Sequence, residues 1–140
     1  MITRHTETID ANEVRSWAQK KITEFNIKQT GRNIERHEFV LSATNDVGER
    51  VGTLIARTSA GTGVFVELLY VDERARGTGV GAKLMAEVED LARKVGCDLV
   101  YLNTFSFQAP NFYEKLGYQK CGVIDDYPKG HTRLFYVKRV

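Results

Sequence analysis

Two prolines, two cysteines and one tryptophan are all that the 140 residues hold of these types, and each scarcity excludes something. Both prolines, Pro110 and Pro128, fall late, and no Pro-, Gly- or Ser-rich stretch interrupts the chain. Nothing therefore reads as a linker, and the expectation is one domain over residues 1–140, long enough to bury a core. No apolar run approaches the length of a membrane span, and residues 1–20 are too polar for a signal peptide. A cytoplasmic protein without a membrane partner is expected. Cys97 and Cys121 form no Cys-x-x-Cys and lack the neighbours of a zinc site, so no metal is expected and both read as small core hydrophobes. A net charge of +2, with acids and bases interspersed, leaves no basic block or basic–aromatic surface for nucleic acid.

What is present is a pattern of alternating strand and helix signals. Residues 2–8 give a weak strand pattern. Asp10 and Glu13 form a capping box ahead of Val14, Trp17, Ala18, Ile22 and Phe25 at helical spacing, and residues 28–33 read as a loop. Phe39, Leu41 and Ala43 alternate with polar neighbours. The Asn45–Gly48 turn then leads back into a strand over residues 50–57, antiparallel to the first. Residues 64–71 are the most apolar run, and its near continuity predicts burial on both faces. A helix comes next over about residues 79–94, with Val80, Leu84, Met85, Val88, Leu91 and Ala92 on one stripe and Gly96 at its end. Leu99–Phe105 is the next buried strand. A strand, helix and strand in this order make a right-handed crossover, which sets residues 64–71 and 99–105 parallel. A short helix over residues 108–116 with Pro110 in its first turn, and strands over 118–123 and 134–138, complete a mixed α/β sheet.

The densest signal lies between the buried strand and the long helix, in Arg74-Ala75-Arg76-Gly77-Thr78-Gly79-Val80-Gly81-Ala82. Three glycines let the backbone approach a ligand closely, and the free N–H groups at the helix start, with its positive dipole end, make an anion site. Three phosphate readings compete. The nucleotide P-loop fails, because Ala82 follows Gly81 where that motif needs Lys and then Ser or Thr. Gly77, Gly79 and Ala82 match the dinucleotide fingerprint literally. The connection from Val71 is too long for its tight turn, however, and the next strand ends in Asn103 and Thr104 with no acid for a ribose.

The third reading is coenzyme A. Arg76-Gly77-Thr78-Gly79-Val80-Gly81 fits Arg/Gln-x-x-Gly-x-Gly/Ala and resembles the acyl-CoA-binding loop of the GNAT superfamily of N-acetyltransferases. Leu69-Tyr70-Val71-Asp72 resembles that family's fourth strand and its exit, and Asn111 to Tyr118 its second signature. The resemblance covers nearly the whole chain, tightly over residues 69–81 and 112–118 and loosely before residue 50. It implies the GNAT fold: a mixed, mostly antiparallel sheet of six to seven strands with a central parallel pair and flanking helices.

The resemblance also implies roles. Backbone N–H groups from Gly77 to Ala82, through Thr78, Gly79, Val80 and Gly81, hold the pyrophosphate of acetyl-CoA, and Arg76 adds charge. Leu69, Tyr70 and Val71 run beside the pantetheine arm. Ser106 stands where relatives often carry an asparagine, so that contact departs from the pattern, with Asn103 and Gln108 as substitutes. Tyr113 protonates the departing thiolate. A phenol near pKa ~10 can serve a thiol near ~8.5 only if it is positioned. Glu67 lies among apolar residues, where burial would fit it for a general base; relatives use a glutamate or an ordered water in this strand, and a structural carboxylate held by hydrogen bonds is the other reading. Neither cysteine is placed as a nucleophile. The implied reaction is direct attack of a primary amine on acetyl-CoA in a ternary complex, with a small-molecule acceptor first. A protein lysine or N-terminal amine, or a non-catalytic acyl-CoA sensor, stands as the alternative, and the resemblance allows a homodimer. Asp125 and Asp126 read as part of a polar hairpin loop, with attraction of a cationic acceptor as the alternative; His5 and His37 read as surface residues.

Overall fold

The computed structural model describes residues 2, 10–33 and 35–140, which fall into two units divided after Asn33. The strand expected over residues 2–8 and His5 lie outside the described residues, Ile2 excepted.

The first unit is one helix, α1 (Ala11–Thr30). Asp10 caps it by accepting the Asn12 N–H at 2.9 Å. It ends at Gly31, whose positive φ closes the αL cap on the Ile27 carbonyl. The loop expected from residue 28 is therefore the last helical turn. Glycine, not the polarity of Lys28–Thr30, sets the end.

The second unit is a six-stranded sheet in the order β1-β2-β3-β4-β6-β5. Its strands are β1 (Glu38–Thr44), β2 (Arg50–Ser59), β3 (Gly63–Val71), β4 (Leu99–Phe105), β5 (Gln119–Ile124) and β6 (Arg133–Arg139). All pairs are antiparallel except β3 with β4, as the crossover requires. The Asn45 side chain makes the first hairpin turn by accepting the N–H groups of Val47 and Glu49. Between β3 and β4 runs α2 (Val80–Lys94), and α3 (Pro110–Lys115) starts on Pro110. Leu84, Met85, Val88 and Ala92 bury one stripe of α2 against Leu54, Ala56, Val64, Val66, Val100 and Leu102. Each of the larger side chains contributes about 1.5–3 kcal/mol by leaving water.

Two features of β3 open one side of the sheet. The strand pairs with β4 only at Gly63, Val64 and Phe65, opposite Leu99, Val100 and Tyr101, and then parts from it. Against β2 it carries a bulge: Ile55 opposes Leu68 and Ala56 opposes Val66, which leaves Glu67 as the extra residue. Burial on both faces, expected for the whole strand, therefore ends at Val66. Glu67 is exposed as the unpaired bulge residue, and Leu68 and Tyr70 are exposed because the bulge turns them to the face opposite the α2 core. Two smaller expectations also change. Cys121 is exposed on the edge strand β5, while Cys97 is buried, and His37 is half-buried with its ring stacked on Phe39.

Candidate active site

Where β3 leaves β4, a cleft of about 810 Å³ opens. One wall is the unpaired edge of β3 from Glu67 to Val71, and the opposite wall is Asn103 and Thr104 at the end of β4, followed by Phe107, Gln108 and Ala109. The mouth is the turn into α2, with Arg76, Gly77, Gly79, Val80, Gly81 and Ala82. Phe112 and Tyr113 of α3 close the remaining side.

The mouth is built from local rules. Asp72 caps a 3₁₀ turn over Glu73–Ala75 by accepting the Arg74 N–H, and also accepts from the Arg74 guanidinium, so its carboxyl is held below the usual carboxylate range. Gly77 and Gly79 have φ of 75° and 87° and turn the chain into α2. The first intrahelical bond runs from Lys83 N–H to Gly79, so the N–H groups of Val80, Gly81 and Ala82 have no helical partner. Among the described residues no side chain caps this end, and no acid stands in its first turn. The result is an uncapped positive dipole end facing a cleft, with Arg76 beside it. The Arg76 Nε donates to the Val71 carbonyl at 3.2 Å, which fixes the guanidinium at the mouth. Gly81 meets a different demand: a Cβ there would stand 3.1 Å from the Phe112 ring, so its absence lets α3 pack against α2.

Among the tyrosines that are not exposed, Tyr113 is distinguished by what its hydroxyl does not do. Tyr118 donates to Glu89, Tyr136 to Glu114, and Tyr101 shares a bond with Ser59. The Tyr113 hydroxyl bonds none of the described residues, although its ring is fixed among Phe112, Tyr118 and Tyr136. Burial pushes its phenol above the ordinary tyrosine value, which keeps it protonated. Glu67 reaches the cleft from the bulge. It is not buried: its carboxylate accepts from the Arg57 Nε at 2.6 Å, each side chain keeping 39% of its surface, and the Arg57 guanidinium lies over Phe65.

Two of the expected residues stay out of the cleft lining. Ser106 exchanges hydrogen bonds with Thr132, its N–H donating to the Thr132 carbonyl and its Oγ accepting the Thr132 N–H. It clips the β4–α3 loop to the start of β6 instead of facing the cofactor side. The Thr78 hydroxyl donates back to Ala75 and closes the 3₁₀ turn. Asn103 and Gln108 do line the cleft. Sequence reasoning missed Phe107, the Arg57 partner of Glu67, and Gly52, where a Cβ would stand 2.9 Å from Val80. Gly52 inside a strand is the one readable signal of close approach. Among the described residues no three His, Cys, Asp or Glu side chains converge as a metal site, and no helix is long and apolar enough to cross a membrane.

Residues 36–120 match the family model described as an acetyltransferase (GNAT) domain. The chain belongs to the GNAT acetyltransferase family. A GNAT relative, the blasticidin-S acetyltransferase of Streptomyces morookaense, is 39% identical over 103 residues, 73% of this chain and 75% of the relative. The crystal structure of an acetyltransferase from Bacillus cereus superposes with a TM-score of 0.82 at 33% identity, covering 98% of each chain. That of nourseothricin acetyltransferase gives 0.65 at 26% identity, covering 74% of this chain and 65% of the other. The GNAT match takes in β1 to β4, α2 and α3, and so spans every residue that lines the cleft.

Proposed function

We propose that this GNAT protein moves an acetyl group from acetyl-CoA to a primary amine of a small molecule, by direct attack with both substrates bound in the cleft. The observation that carries the reading is the uncommitted, protonated Tyr113 hydroxyl inside a cleft whose mouth is an uncapped helix start. Acetyl-CoA fits on two counts. The three N–H groups of α2 that lack a helical partner, with Arg76, suit its pyrophosphate, and the open edge of β3 from Leu69 to Val71 suits an extended amide-bearing arm. Acetyl-CoA supplies the acetyl group as a thioester. Glu67, placed in the cleft by the bulge and not by burial, takes the proton that the acceptor ammonium must lose, directly or through a water. The amine forms the new C–N bond as the C–S bond breaks, and the Tyr113 hydroxyl protonates the leaving sulfur. A small acceptor is favoured because similar chains are named for acetylating blasticidin S and nourseothricin. The protein acts as one domain in the cytoplasm.

The test is a thiol-release assay over simple amines, polyamines, aminoglycosides and lysine peptides. Release is expected with a small-molecule amine. Tyr113→Phe is expected to lower kcat on the order of 10²-fold while leaving the Kd for acetyl-CoA unchanged. Release with peptides alone would move the acceptor to protein. Binding of acetyl-CoA without release from any amine would make the chain a sensor, and an undiminished Tyr113→Phe variant would remove the proton-donor role.

A further inference from the structure

At the wall of the cleft formed by the end of β4, the structure holds more aromatic surface than a bare amine needs. Phe105 and Phe107 stack nearly parallel, with centroids 5.3 Å apart and planes 5° from each other. His131 meets Phe107 edge-on at 4.9 Å, and Tyr127 meets Phe105 edge-on at 6.1 Å. Phe107 lines the cleft and, although Phe105 lies flat against it, remains 55% exposed. An exposed, braced aromatic ring inside a substrate cleft is surface waiting for a flat partner.

Charge narrows the partner. The Arg133 guanidinium lies 5.4 Å from the Phe105 ring centre and 5.7 Å from each of Tyr127 and Phe135. Both its Nε and an Nη donate to the Asn103 Oδ1, at 3.0 and 2.7 Å. Arg133 thus takes up the cation–π faces of Phe105, Tyr127 and Phe135, and its charge, one stacked ring away from Phe107, disfavours a second cation there. It does not disfavour a neutral ring. The same bonds fix the edge chemistry. Because the Asn103 oxygen faces Arg133, its amide nitrogen is the group left to offer. The Gln108 oxygen accepts from Thr104 and from the Phe105 N–H, so the Gln108 amide nitrogen is likewise a donor at this wall. Two donors beside an exposed ring suit a flat guest with acceptor atoms on its rim.

We propose that Phe107, with Asn103 and Gln108, forms an acceptor subsite for a neutral planar heteroaromatic ring whose edge carries ring nitrogens or carbonyl oxygens, so that these two amides serve the acceptor instead of replacing the asparagine contact absent at Ser106. The proposal rests on the reading of the cleft as the site of a small-molecule acetyl acceptor, and names the class of that acceptor.

The test uses the full chain and two amines of similar size, 4-(aminomethyl)pyrimidine and cyclohexylmethylamine, with each KM expressed as free-base concentration to remove the difference in their basicity. The pyrimidine is expected to show a KM about tenfold lower in thiol release, and Phe107→Ala to remove that advantage while the saturated amine changes less than about twofold, the scale of one lost aromatic stack. Phe107→Tyr should restore it. Phe107 is too exposed for its truncation to unfold the protein, and an unchanged melting temperature checks this. Equal KM values in the wild type, or an equal rise for both amines in Phe107→Ala, would overturn the subsite. The binding arm does not depend on turnover: 4-methylpyrimidine, which has no amine, is followed by saturation-transfer NMR. A signal in the wild type that Phe107→Ala abolishes supports the ring site even if neither amine is acetylated. Absence of that signal in the wild type overturns it.

Discussion

Gly79 and Gly81 stand two residues apart and lack a side chain for unrelated reasons. Gly79 sits at a φ of 87° with open space where a Cβ would point, so its requirement is conformational. Gly81 has helical backbone and is held by the Phe112 ring beneath it. The distinction can be measured. Gly79→Ala should lower stability by about 1–2 kcal/mol in urea denaturation, the cost of a left-handed conformation for a residue with a Cβ. An unchanged midpoint would show that the turn relaxes without glycine. A comparable division runs through the tyrosines. Tyr101, Tyr118 and Tyr136 spend their hydroxyls on the structure, and Tyr113 does not. Sequence spacing selects Tyr113 through the family signature, but that its hydroxyl bonds none of the described residues depends on which partners the fold brings near, and no spacing shows that.

Among the elements, α2 carries both the clearest signal and the best-hidden one. Its apolar stripe and its glycine stop are legible in the sequence, because helical periodicity and αL termination are local properties. Glu89 lies within the same stripe and is buried, which a reading by polarity assigns to the solvent face. Its carboxylate accepts from the Lys138 Nζ at 2.9 and 3.0 Å and from the Tyr118 hydroxyl at 3.0 Å, joining α2 to β6 and to the start of β5. Glu89→Ala should cost about 3 kcal/mol by denaturant midpoint, the low end for breaking a buried pair because Lys138 keeps some access to water. Replacing both residues by methionine should recover most of that loss; equal losses in the single and double variants would show that the charges are not paired energetically. The same limit of local reading explains the other departures. The exposed half of β3, the Ser106–Thr132 clip and the exposed Cys121 are all decided by contacts between segments distant in sequence.

At the scale of the molecule, the buried tyrosines set the alkaline limit. Burial, with the Glu114 bond as a second cause, pushes the Tyr136 phenol up to about 12, and burial with Glu89 pushes Tyr118 up as well. In the unfolded chain both ionise near the ordinary value of 10.0. Stability from this source is thus fully present below about pH 10 and is lost as pH rises through the folded values, because the unfolded state sheds protons that the folded state retains. The urea midpoint should hold from about pH 8 to about pH 9 and fall by about pH 11; a flat profile would mean that these phenols ionise in place. The bulge in β3 has a reach of its own. Before Glu67 the even-numbered residues Val64 and Val66 face the core, and after it the odd-numbered Leu69 and Val71 do, opposite the even-numbered Leu54 and Gly52 of β2. Glu67 therefore acts as a frame shift written into a strand: strict alternation from Val66 onward would send Leu68 and Tyr70 inward instead. The ladder already passes over it, joining Val66 and Leu68 to successive residues of β2. Excising Glu67 alone would accordingly close the bulge and leave Leu69 and Val71 facing the core as they do now. The acid of the cleft occupies the single position in β3 that the pairing with β2 does not use.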